Sequence, residues 1–284
     1  ILEGVPREIL DAGNALPGLK AHLDDMAQGA EPLPDVKLMI VGNGRIGKTQ
    51  LRRRICNQDF ESEADSTHGI TVVSHDFEPG IRLHLWDFGG QELYHGTHTL
   101  FMRSRAVFLV LWTPNSENQA EHEHRGMTFR NHRLDYWLRL VGANGDEQSP
   151  VLIVQSQCDR PEEEELHAPV PEELEDAFTF SKEVHFSARE KRGLGALREA
   201  IHDAVKWIWE KQGRATIGLG RLRVKRRLEA LRDADAELPP SDRKYRLLTK
   251  EFFEAICAEE GDVSDADQLL AYLHETGLLF YRCG

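Results

Sequence analysis

A chain of 284 residues, 40% hydrophobic and 29% charged, is long enough for one large core plus a smaller module and is composed like a water-soluble globular protein. Its formal net charge of −13 argues against non-specific nucleic-acid binding and against attachment to anionic membranes. No apolar run approaches the roughly 18 residues of a membrane span. Cys56, Cys158, Cys257 and Cys283 lie far apart without a CxxC pair, which fits a reducing cytoplasm rather than a disulfide framework.

Residues 1–34 are punctuated by Gly, Pro and Asp and read as an N-terminal linker with one short helical pattern around Leu19 to Met26. An apolar run, Val36 to Val41, then enters the turn Gly42-Asn-Gly-Arg-Ile-Gly-Lys-Thr49. A helical pattern, Lys48 to Cys56, leaves it. The pattern GxxxxGK[ST] needs its two glycines so that several backbone N–H groups converge on a phosphate. The lysine reaches the terminal phosphates and the hydroxyl takes Mg²⁺. Here those residues are Gly42, Gly47, Lys48 and Thr49. Strand before and helix after is the context the motif requires, with a helix N-terminus facing the phosphate.

Further on, Ile70 to Phe77 and Ile81 to Trp86 read as strands around the turn Glu78-Pro-Gly. Ala106 to Trp112 and Val151 to Val154 are near-continuous apolar runs, as strands covered on both faces should be, and Phe186 closes a short last strand. Helical patterns fall at Leu93 to Met102, Leu134 to Val141, Pro171 to Phe178 and Leu194 to Trp209. Residues 115–131 read as a polar loop. Alternating strands and helices imply an α/β fold with a mostly parallel sheet flanked by helices. The acidic residues Glu162 to Glu165 and Glu172 to Asp176 read as a solvated surface.

Composition shifts near Lys211, and 213–284 reads as a small α-rich module. It holds a basic helical stretch from Arg221, helical patterns at Lys250 to Ala258 and Ala266 to Thr276, and the apolar end Leu278 to Tyr281. Ser264 is the expected cap of the last helix. The order helix, helix, short strand is that of a winged-helix module. The basic stretch reads as a solvated face or an intramolecular contact, not as a nucleic-acid site.

Three stretches point to the nucleotide. In Asp87-Phe-Gly-Gly-Gln-Glu, Asp87 ends a strand where a Mg²⁺-bound water would sit, and Gly90 offers an N–H to a γ-phosphate. In Ser66-Thr-His-Gly-Ile, Thr67 is placed to reach Mg²⁺ and the γ-phosphate. In Ser156-Gln-Cys-Asp159, Asp159 can accept from guanine N1–H and N2–H₂, donors that adenine lacks. Ser187-Ala-Arg189 would supply an N–H to the guanine O6.

In this order the stretches resemble the Ras-type small GTPases, and most closely the Roc domain of Roco proteins. Trp86 to Met102 and Ser66 to Ile70 carry that likeness. Residues 35–212 then look like a Roc domain and 213–284 like the first, winged-helix-like part of a COR domain. Gly4-Val-Pro-Arg-Glu-Ile-Leu resembles the last turn of a leucine-rich repeat. The resemblance implies a P-loop small-GTPase fold with guanine-nucleotide binding and Mg²⁺-dependent GTP hydrolysis. It implies a conformational switch inside a larger multidomain protein, a homodimer through COR, and neighbouring leucine-rich repeats and output domains. Asn43, Gly44, Arg45, Ile46, Gly47, Lys48, Thr49 and Gln50 would wrap the phosphates. Thr49, Thr67 and Asp87 would hold Mg²⁺, the last through a water. Gln91 would orient the attacking water, with Lys48 and Thr67 also in catalytic roles. Gly90, Gln157, Asp159, Ser187, Ala188 and Arg189 would complete the nucleotide site. Arg103, Arg105, Arg125, Arg130 and Arg133 are candidates for an arginine finger, which a second subunit could also supply.

One motif departs from the family form Asn-Lys-x-Asp. Ser156 replaces the asparagine and Gln157 the lysine, which predicts micromolar rather than picomolar affinity, roughly 8 against 16 kcal/mol. Two other functions remain open on the residues: a non-catalytic nucleotide-binding interaction module, and an ATP-using P-loop signalling enzyme. The histidines at 95, 98, 122, 124 and 132 form no recognised zinc pattern.

Overall fold

The computed structural model describes residues 5, 7–10, 13–62, 69–89, 101–102, 105–124, 127–146, 148–239, 241–245 and 247–279. Thr67, Gly90, Gln91, Arg103, Arg125 and nearly all of the expected helix from Leu93 lie outside them. The chain divides into two compact units. One is Pro34–Lys211; the other joins Ile1–Leu33 to Gln212–Gly284.

The N-terminal elements are α1 (Arg7–Leu10), α2 (Ala15–Ala27) and β1 (Ala30–Pro32). In the larger unit follow β2 (Asp35–Val41), α3 (Lys48–Ile55), β3 (Ile70–Glu78), β4 (Ile81–Phe88) and β5 (Val107–Trp112). Next come α4 (Pro114–Asn118), β6 (Glu121–His124), β7 (Met127–Arg130), α5 (Leu134–Asn144) and β8 (Val151–Gln155). The unit closes with α6 (Glu172–Glu175), β9 (Ser181–His185) and α7 (Leu194–Gln212), whose last residue opens the other unit.

Six strands form one sheet in the order β3-β4-β2-β5-β8-β9. All neighbours are parallel except β3, which runs antiparallel to β4 at the edge. The alternation of β2 explains the layering. Val36, Leu38 and Ile40 face one core with Leu51 and Ile55 of α3 and Leu197, Ile201 and Val205 of α7. Met39 and Val41 face the other with Trp86, Phe88 and Trp137, Leu138 and Val141 of α5. Both faces are apolar because both are covered. The expected α/β class is therefore what the chain adopts.

Local readings need four corrections. The 115–131 stretch is not a loop. Thr113 and Ser116 cap α4 reciprocally, and β6 pairs antiparallel with β7. The helix expected from Pro171 to Phe178 shrinks to Glu172–Glu175, with Phe178 packed against the core. The last strand ends at His185, and buried Phe186 follows it with its N–H on Gln155 O. Asp265, not Ser264, caps the last helix, accepting from Gln268 N.

The other unit contains β10 (Thr216–Gly218), α8 (Leu219–Ala236), α9 (Lys250–Glu260) and α10 (Ala266–Thr276). Among its described residues the expected linker up to Leu33 packs within this unit: β1 pairs with β10, and Leu33 joins Ile217, Leu222, Phe253 and Leu269 in one core. Among the described residues at its end, Leu278 and Leu279 follow the left-handed cap Gly277 and form no strand. Phe280 and Tyr281 lie outside the described set. The basic stretch of α8 is neutralised within the unit: Arg223 bonds Asp262, and Arg227 pairs with Glu259 and Glu260.

Asp25 of α2 and Arg221 of α8 form a fully buried ion pair, and Asp25 also accepts from Ser264 N at 2.7 Å. Asp25→Ala would strand the guanidinium without its partner. Chemical denaturation should show this unit destabilised by about 3–5 kcal/mol. Buried His22 lies beside the pair. Burial depresses its pKa, Arg221 adds to that, and Asp25 opposes it. The folded state thus takes up the His22 proton less readily than the unfolded chain, which binds it below about pH 6.5. Stability should be full above that value and fall as the pH is lowered from 7 to 5. His22→Gln should flatten the profile measured by thermal melts.

Candidate nucleotide-binding site

The turn between β2 and α3 is built around its glycines. Gly42 has φ 142°, and a Cβ there would lie 2.8 Å from Leu111 O. Gly47, with φ 104°, is the N-cap of α3. These conformations suit glycine and little else. Lys48 folds back over the turn, donating to Gly42 O at 2.8 Å and Asn43 O at 2.7 Å. Burial lowers its pKa to about 8, with the Asp87 carboxylate pulling the other way. Thr49 occupies the first helical turn. Gln50 clasps the backbone of Glu61 from both sides, its Nε2 donating at 2.7 Å and its Oε1 accepting at 3.1 Å.

Other elements brace this turn. Asn43 Nδ2 donates to His132 O at 2.7 Å, and Asn43 Oδ1 accepts from His132 N at 2.8 Å and Trp137 Nε1 at 3.2 Å. Ser156 Oγ donates to Ile46 O at 2.6 Å, and Gln157 Nε2 to Arg45 O at 3.0 Å. The two residues that depart from Asn-Lys-x-Asp thus tie the loop after β8 to the turn after β2.

At the end of β4, Asp87 is fully buried. Arg52 Nε lies 3.4 Å from its Oδ2, while Oδ1 has no hydrogen-bond partner among the described residues. An acceptor-only oxygen buried beside Thr49's helix suits a hydrated divalent cation. Gly89 N donates to Gly69 O at 2.8 Å, so the segments leading to Gln91 and back to Thr67 share one anchor point.

Asp159 sits at the far end of the site. Ser187 Oγ donates to its Oδ1 at 2.6 Å, and Arg189 lies 3.3 Å from its Oδ2. Arg54 of α3 reaches Ala188 O at 2.7 Å and fixes this loop from below. Gly193 closes the loop at φ 70°; a Cβ there would approach His185 O to 1.9 Å. Phe60 lies next to Arg189, ring centroid 5.8 Å from its guanidinium carbon.

The structure therefore gathers the turn residues 43–50, Asp87, Gln157, Asp159 and Ser187 to Arg189 along the ends of β2, β4, β8 and β9. Sequence reasoning missed Arg52, Arg54 and Phe60. A lone aromatic in the polar stretch Asn57-Gln-Asp-Phe-Glu was the signal available for Phe60. The arginines carried none, because their partners Asp87 and Ala188 lie 35 and 134 positions away.

Residues 37–159 match the family model "Ras of Complex, Roc, domain of DAPkinase". A Roc-COR-CHAT protease from Runella zeae is 25% identical over 290 residues, which is 95% of this chain and 29% of that protein. Over residues 37–159 the chain is thus similar to the Roc domains of the Ras-like superfamily. The probable serine/threonine-protein kinase pats1 of Dictyostelium discoideum is 28% identical over 181 residues, 56% of this chain and 5% of that one. The chain spans less than a third of either relative. Human Ras-related protein Rab-3B is 26% identical over 180 residues, 62% of this chain and 74% of its own length. The fold resembles that in the structure of Methanosarcina barkeri Roco2 RocCORdC bound to GDP, which superposes with a TM-score of 0.61 at 24% identity. That match covers 88% of this chain and 69% of the other. Among the described residues, no helix is long and apolar enough to cross a membrane.

Proposed function

We propose that the chain binds guanine nucleotides and hydrolyses GTP with Mg²⁺, as a conformational switch inside a larger Roco protein. The observation that carries this reading is Asp159, presented by the loop after β8 and held by the Ser187 hydroxyl at 2.6 Å. A carboxylate so oriented accepts from guanine N1–H and N2–H₂ and finds no matching donors on adenine. Relatives support it: the Methanosarcina Roco2 structure is described as bound to GDP.

In this reading residues 35–212 are the Roc domain and 213–284 the start of COR. The turn amides and Lys48 hold the β- and γ-phosphates. Thr49, Thr67 and Asp87 would hold Mg²⁺, Asp87 through a water; the ion would add positive charge against the phosphate oxygens where negative charge develops. Gln91 orients the attacking water, and Thr67 orders its segment only when a γ-phosphate is present. Hydrolysis then releases the segments around Thr67 and Gln91. The COR part passes that change to a homodimer, and leucine-rich repeats and output domains flank the pair, in a reducing cytoplasm without nucleic acid or membrane as partners. Cys56, Cys158 and Cys257 as free thiols agree with that setting.

The test is single-turnover hydrolysis. Phosphate should appear from bound GTP with Mg²⁺, not with a chelator, and Gln91→Leu should slow it without weakening binding. Bound GTP that survives intact for days with Mg²⁺ would make the chain a binding module without catalysis.

A further inference from the structure

The base end of the site holds a planar group of its own. The Watson–Crick edge of guanine that meets a carboxylate, N1–H, C2 and N2–H₂, is itself a guanidine fragment. Arg189 carries the same fragment as a cation. Its Nη1 lies 3.3 Å from Asp159 Oδ2, and its Cζ lies 5.8 Å from the ring centroid of Phe60. The other Asp159 oxygen takes the Ser187 hydroxyl at 2.6 Å. Both oxygens of the carboxylate are thus engaged, one by a fixed brace and the other by a movable side chain.

We propose that Arg189 is an intramolecular stand-in for the guanine base: it occupies the pairing edge of Asp159 and competes with incoming nucleotide. The deduction rests on the guanine-nucleotide reading above and adds a determinant of affinity to it. Ser187 and Arg189 play opposite parts. The hydroxyl is short, lies on a turn closed by Gly193, and orients the carboxylate. The arginine is 64% exposed, so it can leave toward water when a base arrives. Phe60 gives the displaced or displacing plane an aromatic neighbour in either state. Occupancy of this kind lowers apparent affinity by the fraction of sites held closed, with no change in the contacts of the bound form.

An exposed ion pair is a small barrier, so the expected effect is a small factor. Titration of Arg189→Ala with GDP should give about three- to fivefold tighter binding than the native chain. ADP, which does not pair with Asp159, should bind the two proteins alike. Raising KCl from about 50 to 500 mM should shrink the GDP gap between them, because salt screens the closing pair. Equal or weaker GDP binding by Arg189→Ala would overturn the proposal, as would parallel tightening of ADP. Native protein that binds GDP while the variant shows no gain sinks this inference alone. Native protein that binds neither GDP nor GTP sinks the nucleotide reading with it.

Discussion

Lys48→Ala should weaken GDP and GTP by about 10²- to 10³-fold while leaving the protein folded. Removing one member of a buried charge pair typically costs about 2–5 kcal/mol, and here the phosphates would face the site without their cation. The loss has a second part. Lys48 Nζ donates to both Gly42 O and Asn43 O, so its removal also takes the clasp off the turn. Equilibrium titration with a fluorescent GDP analogue reads the affinity, and a chemical-denaturation midpoint verifies the fold. Near-native affinity in Lys48→Ala would mean that the turn after β2 does not hold the phosphates.

Asp159→Ala should act on the base rather than the phosphates. Two charge-assisted hydrogen bonds to guanine would go, each worth about 1.5–3 kcal/mol. GDP affinity should fall about 10²- to 10⁴-fold and converge on that for ADP, which should hardly change. The phosphate-directed residues stay intact, so weak binding of both nucleotides should persist. A competition titration of GDP against ADP reads the two affinities together. If the variant still preferred GDP as strongly as the native chain does, the selecting group would have to be elsewhere.

How much of this was written in the sequence depends on the element. The sheet was legible because β2, β5 and β8 are buried on both faces, and a run such as Val107 to Trp112 admits few other uses. The turn after β2 was legible because positive φ at Gly42 and Gly47 demands glycine. The β6–β7 hairpin was not, since Glu121 to His124 offers no apolar face and is held by backbone pairing. Nor was the role of α2. Its buried residues include His22 and Asp25, and polar groups give no hydrophobic period; Asp25 becomes a core residue through Arg221 and the Ser264 N–H, 196 and 239 positions away.

At the site, Lys48, Thr49, Asp87 and Asp159 could be named because each sits at a fixed step from a strand end. The braces could not. Asn43 is gripped by His132 and Trp137 of a distant helix start, and Arg54 reaches Ala188 across 134 positions. The departure at Ser156 and Gln157 shows the same limit. By residue type it looked like a loss, yet Ser156 reaches Ile46 O and Gln157 reaches Arg45 O. The acidic run at 162–165 is the solvated surface expected, without a buried residue, but the sequence did not show that it forms a 3₁₀ turn in which Glu164 binds Arg192 of the loop that carries Ser187.

Titration calorimetry of the native protein with GDP and with ADP, in Mg²⁺ and at one salt concentration, tests the central claim most directly. The account predicts saturable one-to-one GDP binding in the micromolar range or tighter, with ADP at least about 100-fold weaker. Equal affinities for the two, or no heat from either, would contradict it.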